Sequence, residues 1–179
     1  MPKLVDFLAD HKEAVLAQWL CLVLDTYAPD TAALWKKNKD PFANPVRHKM
    51  ETGMREVLEG LARGGAAGDE AVYAPHLDEI VRVRAVQDFT PSQAVAFIFL
   101  LKKAIRETLW PHVAEHGLFV ELLALESAID VLAQMSLDIY SRCRETLFQL
   151  RINQVRNQYD RLLKRANLVC DLSPEGEEP

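Results

Sequence analysis

Between residues 119 and 169 the chain contains neither proline nor glycine. Nothing there interrupts a backbone hydrogen-bond ladder, so the sequence predicts one helix of about 50 residues, roughly 75 Å long at the α-helical rise. Such a helix exceeds the width of a small domain and needs cover for its apolar residues in more than one place. Its first half repeats Leu122, Leu125, Ile129, Leu132, Ser136, Ile139 and Cys143 at alternating spacings of 3 and 4, the stripe of a helix packed on a bundle. The second half repeats Phe148, Ile152, Val155, Tyr159, Leu162, Ala166 and Val169 with the same alternation in a different phase. The two registers do not join, so either the seam rotates between about residues 143 and 148 or the helix breaks there. The second register is that of a coiled-coil seam and predicts a homodimer. The competing expectation is that the helix bends and folds back over its own domain.

Upstream, Leu4, Leu8, Val15, Trp19, Leu22 and Val23 recur at helical spacing and predict a first helix over residues 3–26. Pro29 interrupts it, and DTAALWKK follows as a short helical piece. Asn44-Pro45 reads as a helix start: the Asn side chain accepts from a backbone N–H, and proline at the first position has no N–H to lose. Val46, Met50, Met54, Val57, Leu58 and Leu61 lay an apolar face along that helix, and Gly64, Gly65 and Gly68 end it. A further helix is expected over residues 75–86, with Leu77, Ile80, Val81 and Ala85 on one side. Thr90-Pro91-Ser92-Gln93 then supplies a cap, an N1 proline and a glutamine able to reach back to the cap's N–H. This opens a helix over residues 91–109 that Trp110-Pro111-His112 should close. Its run AVAFIFLL is apolar on nearly every side and predicts a central position. The chain so read is all-α, a helical bundle with a long C-terminal helix.

With 49% hydrophobic and 26% charged residues in 179, the chain can bury one substantial core and does not have a disordered composition. No apolar run approaches the roughly 18 residues of a membrane span, and MPKLVDFLADHKE does not read as a signal peptide. Cys21, Cys143 and Cys170 are odd in number, far apart and without CxxC spacing. That pattern predicts a reduced, cytoplasmic protein without a structural zinc site. A net charge of -5 argues against generic affinity for nucleic acid. Basic residues nevertheless gather at Arg142, Arg144, Arg151, Arg156, Arg161, Lys164 and Arg165, ahead of Asp171, Glu175, Glu177 and Glu178. That stretch is expected to attract an acidic partner or the acidic tail itself.

Few side chains are placed for chemistry. His112 and His116 have ligand-like spacing, but HVAEH is not HExxH, so Glu115 is not where a zinc-hydrolase base would stand. An exposed pair at an interhelix corner is expected there, and no metal is assigned. His76 is the least poor candidate for a haem ligand, yet it falls in the first turn of its expected helix, where a half-exposed side chain is the better reading; no cofactor is assigned. Cys21 reads as buried packing rather than a sensor thiol. No phosphate loop or serine elbow occurs, and no catalytic residue is assigned. Arg82 and Arg84, with Gln87 and Asp88, form the densest polar cluster beside a core helix. They either take an anion or a partner carboxylate, or hold the corner together through Asp88 or backbone carbonyls.

The segments FLADHKEAVLAQWL, DPFANPV and RVRAVQDFTPSQAVAFIFLLK, with the helical continuation after them, resemble the N-terminal domain of RsbRD-type proteins, the co-antagonists of RsbT in stress-response signalling. The resemblance covers residues 4–145. It implies a helical fold, globin-like in the broad sense but without haem, and a sensory or regulatory input joined by a long helix to an output module such as a STAS domain or a histidine kinase. Asp40, Pro41, Phe42, Asn44, Pro45, Arg84, Gln87, Asp88, Phe89, Pro91 and Ser92 carry over as motif residues, with structural roles and no catalytic one implied. Arg47 stands where such relatives typically have glycine after Asn-Pro-Val, which makes that corner larger and positive. Arg47 therefore joins Arg82 and Arg84 as a possible anion or partner contact.

Only ten residues follow Val169, with no STAS or kinase module among them. The expectation is a stand-alone regulatory module that acts on a separate, unidentified effector protein and carries no membrane segment. Residues 1–145 would be the sensory or regulatory domain, 146–169 a coiled-coil dimerisation extension, and 170–179 a flexible acidic tail. The alternatives are a ligand- or haem-binding sensor and an enzyme whose active site is assembled from distant residues.

Overall fold

A computed structural model describes residues 3–37, 40, 42–64, 68–87 and 89–165. Pro41, Asp88, Ala166, Val169 and the tail at 170–179, all singled out above, lie outside the described residues. The described residues form seven helices and no strand: α1 (Leu4–Asp10), α2 (Lys12–Leu24), α3 (Pro29–Lys37), α4 (Pro45–Ala62), α5 (Glu70–Val86), α6 (Pro91–His116) and α7 (Phe119–Arg165). The fold is an all-α bundle. Packing divides the chain into two compact units, the first ending at Cys143 and the second beginning at Arg144.

In the first unit, one continuous core gathers Leu8, Trp19, Met54, Leu77, Ile98, Leu101 and Ile129, all without solvent exposure. α4 and α5 approach closely through two glycines on one face of α4. A Cβ on Gly53 would come within 2.9 Å of the His76 carbonyl oxygen, and one on Gly60 within 2.6 Å of the Tyr73 ring. α2 is tied to α6 by the indole N–H of Trp19, which donates to the Phe97 carbonyl at 2.6 Å; a buried indole left unpaired would cost about 1–3 kcal/mol. Both expected helix starts form. Asn44 Oδ1 accepts from the Arg47 N–H at 3.2 Å, and the Thr90 N–H donates to Gln93 Oε1 at 3.0 Å in a reciprocal capping box.

Several boundaries differ from the sequence reading. The first helix is two, separated at His11 (φ -103°, ψ 14°), whose backbone N–H and ring Nδ1 both donate to the Phe7 carbonyl at 3.0 Å. α5 begins at Glu70, so Pro75 lies inside it and Asp69 is its cap, accepting from the Ala71 N–H at 3.2 Å. A proline inside a helix costs about 3 kcal/mol. Burying Tyr73, Leu77, Ile80 and Val81 on the same helix, at roughly 1.5–3 kcal/mol for each large side chain, outweighs that cost. For the same reason α6 runs through Pro111, where it was expected to stop. Val113, beyond the proline, is buried, and His112 stacks on Phe7 at 4.7 Å. The helix ends instead at Gly117, whose φ of 69° suits a residue without a side chain. Nor is α6 apolar core all round, because Phe99 is half exposed.

The first part of α7 follows the expected stripe: Leu122, Leu125, Ile129, Leu132, Ser136 and Ile139 are buried and Cys143 is partly so. Two side-chain links join this part to α6. Arg106 pairs with Glu126 through two bonds of 2.5 and 2.6 Å, and Lys102 with Asp130 at 2.6 Å. α7 is helical through residues 143–148, without a break in its backbone there. In the second unit, Phe148, Ile152, Val155, Tyr159 and Leu162 are all exposed.

Candidate functional site

The three arginines picked out from the sequence have separate environments and form no joint site. Arg84 is fully buried at the corner where α2 ends and α6 begins. One terminal nitrogen donates to Thr26 Oγ1 and to the Gln93 carbonyl, each at 3.0 Å, and the other donates to the Tyr27 hydroxyl at 3.3 Å. Its guanidinium lies 4.4 Å from the Phe89 ring centre and 5.1 Å from that of Tyr27. Desolvated contacts of this kind contribute up to about 2 kcal/mol each, which offsets part of the cost of burying the cation. Burial lowers the Arg84 pKa, against the pull of Tyr27; burial likewise raises that of Tyr27, against the pull of Arg84. Of the two readings left open above, bonding to a backbone carbonyl is the one observed, and Arg84 offers no exposed surface to an anion.

The motif residues around this corner are mostly backbone fixtures. Phe89 supplies a ring under Arg84 and its carbonyl accepts from the Tyr140 hydroxyl at 2.7 Å. The Gln87 N–H closes α5 on the Arg84 carbonyl, Pro91 is the first residue of α6, and Ser92 Oγ lies 3.2 Å from Thr90 Oγ1. At the other motif, Asp40 Oδ1 accepts from the Phe42 N–H at 3.0 Å, the Asp40 carbonyl accepts from the Asn44 N–H at 2.9 Å, and Pro45 opens α4. Phe42 itself is 96% exposed, which a purely structural role does not explain.

Arg82 is exposed on α5 and pairs with Asp78 one turn back. Arg47 is different again. It is more than nine-tenths buried, its guanidinium meets Glu51 at 3.2 Å, and its Nε–H has no acceptor among the described residues. It lines a cleft of about 360 Å³ between α2 and α4, floored by Leu16, Leu20 and Leu24 and walled by Ala17, Cys21 and the paired charges Glu13–Arg55 and Arg47–Glu51, with Lys36 at its end. A smaller polar hollow of about 210 Å³ adjoins it on the far side of the same α4 row, adding His48 and Thr52. Cys21 is exposed here, not buried as expected, because α2 turns Val15, Leu16, Trp19, Leu20, Val23 and Leu24 inward. Sequence reasoning missed the cleft. Its available signal was that residues 13, 17 and 21 of α2 and 47, 51 and 55 of α4 each repeat every four positions, so each set shares a helix face.

The histidines also gather in a way their positions did not announce. His112 and His116 do share a face, and both stack on Phe7, at 4.7 and 5.2 Å, while His11 tilts against His112 at 4.7 Å. His76 is half-buried on α5 with its carbonyl against Gly53. Among the described residues no three ligand-type side chains are grouped so as to hold a metal ion, and no helix is long and apolar enough to cross a membrane.

A family model described as the RsbT co-antagonist protein rsbRD N-terminal domain matches residues 13–155. Searches of curated proteins and of solved structures return no significant match.

Proposed function

The chain belongs to the family of RsbT co-antagonist protein rsbRD N-terminal domains, and from that footing we propose that it is a cytoplasmic regulatory module which self-associates through α7 and acts on a separate partner protein. Membership implies a role in stress-response signalling, and the family is a regulatory one rather than a known family of enzymes. We read the module accordingly as non-catalytic.

The observation that carries self-association is the exposed row Phe148, Ile152, Val155, Tyr159 and Leu162 on one continuous helix. Burying a large apolar side chain contributes about 1.5–3 kcal/mol. Two copies together supply ten such residues, enough to offset an association cost of about 4–15 kcal/mol. The neighbouring Arg151, Arg156 and Arg165 would flank such a seam and suit an acidic partner surface.

Light scattering at low micromolar concentration tests this. The wild-type chain should weigh about twice its 20.3 kDa, and Val155→Asp combined with Leu162→Asp should return it to the monomer mass, since unpaired charges in an apolar seam are costly. A monomeric wild type, or a double variant that stays dimeric, would sink the seam. Affinity capture from native extract, comparing wild type with that double variant, then reads whether the effector binds the paired helices or the bundle.

A further inference from the structure

The cleft between α2 and α4 plays no part in that reading and stands independently of it. We propose that this cleft binds a small organic anion, a carboxylate carrying an apolar body, with the carboxylate on Arg47 and the body along Leu16, Leu20 and Leu24. Its volume of about 360 Å³ falls within the usual range of small-molecule pockets, about 300–1,000 Å³. The two kinds of group a carboxylic amphiphile needs are adjacent in it, an aliphatic floor and a buried guanidinium.

Three cations, Lys36, Arg47 and Arg55, line the cleft, and each is set against one carboxylate, Asp25, Glu51 and Glu13 in turn. Lys36 and Arg55 are engaged with Asp25 and Glu13 in exposed pairs that solvent screens. Arg47 differs from them in that its side chain is buried, and its carboxylate contact comes from Glu51 in the next turn of its own helix. Its Nε–H, itself shielded from solvent, finds no acceptor among the described residues. A guanidinium presents five N–H donors in a planar fork matched to a carboxylate. Arg47 is also the third residue of an 18-residue helix, so the partial positive charge of the α4 N-terminus adds to its own. A bare inorganic anion would satisfy the guanidinium and leave the leucine floor wet; a neutral alkyl compound would cover the floor and leave the charge unanswered.

Sodium octanoate is the probe, titrated into the full-length protein by calorimetry, with acetate, phosphate and 1-octanol as comparison arms. Octanoate should bind saturably and at least about tenfold more tightly than any of the three, the scale expected when a charge-assisted bidentate contact is added or lost. It should also slow alkylation of Cys21 by iodoacetamide, read by peptide mass spectrometry, while the half-buried Cys143 keeps its rate. Arg47→Met keeps the packed stem and removes the charge; it should weaken octanoate by about tenfold or more and leave 1-octanol unchanged. Ala17→Trp, at an exposed position on the cleft wall, should abolish octanoate binding by filling the space. Equal octanoate affinity in wild type and Arg47→Met, phosphate or octanol binding as tight as octanoate, or unprotected Cys21 each overturns the proposal. Binding by the Val155→Asp/Leu162→Asp variant should match wild type, so this site and the α7 seam fail separately.

Discussion

Leu132 and Leu162 stand on one helix, each in a row of apolar residues spaced by three and four, yet one has no exposed surface and the other keeps 60% of it. The difference does not lie in the rows themselves. It lies in what surrounds them. Around Leu132 the polar side chains of α7 meet partners elsewhere in the bundle: Glu126 meets Arg106, Asp130 meets Lys102, and Tyr140 reaches the Phe89 carbonyl. Around Leu162 the charged neighbours are Asp160, Arg161, Lys164 and Arg165, three of the four basic. Periodicity tells which face of a helix is apolar. Complementary polar neighbours tell whether the chain's own fold covers that face.

Breaking the covered row has the largest expected effect. Leu132→Ala should lower the unfolding free energy by about 2–5 kcal/mol in urea titrations, from lost burial and the cavity left behind; a loss below about 1 kcal/mol would mean the row is not packed as described. Tyr140→Phe removes the donor to the Phe89 carbonyl and leaves that acceptor unmet, for a loss of about 1 kcal/mol.

A smaller effect depends on pH. The hydrogen bond from Arg106, ahead of the opposing effect of burial, holds the Glu126 pKa below its ordinary value. A carboxylate depressed on folding contributes stability that is fully present above its unfolded pKa and is lost as pH falls through the folded one. Unfolding free energy should therefore decline as pH drops below about 4.5, and part of that decline should vanish in Glu126→Gln. Because Arg106 is half exposed, that part should stay under about 1 kcal/mol. A Glu126→Gln profile parallel to wild type through this window would show that the pair does not contribute.

The features legible in the sequence were those decided locally. Asn44 and the Thr90–Gln93 box lie within three residues of the groups they cap, and the 122–143 stripe follows from helix geometry alone. The misreadings arose where a distant contact outweighed a local rule. Pro75 and Pro111 signal helix ends by their own chemistry, but Tyr73, Leu77 and Val113 bury enough surface to carry each helix through. Arg84 was recognisable as one of a polar cluster, whereas its inward position depends on Tyr27, 57 residues earlier, and Phe89 closing over it. The cleft joins Leu16 to Arg47 across two helices and an intervening third, a juxtaposition that no local pattern reports.

The exposed row sharpens the comparison from the other side, with the smallest expected change. At concentrations where the Val155→Asp/Leu162→Asp variant is monomeric, the variant should unfold within about 0.5 kcal/mol of the wild-type monomer, as surface substitutions usually do. Wild type, in contrast, should gain stability as its concentration rises, because association favours the folded state by mass action. Denaturant midpoints at about 1 and 100 micromolar separate the two behaviours. If the variant's midpoint falls at both concentrations, the residues from 148 to 162 are supporting the fold of their own chain. If wild type shows no concentration dependence, the exposed row has no second copy to meet, and only its basic neighbours remain as a surface for a partner of another kind.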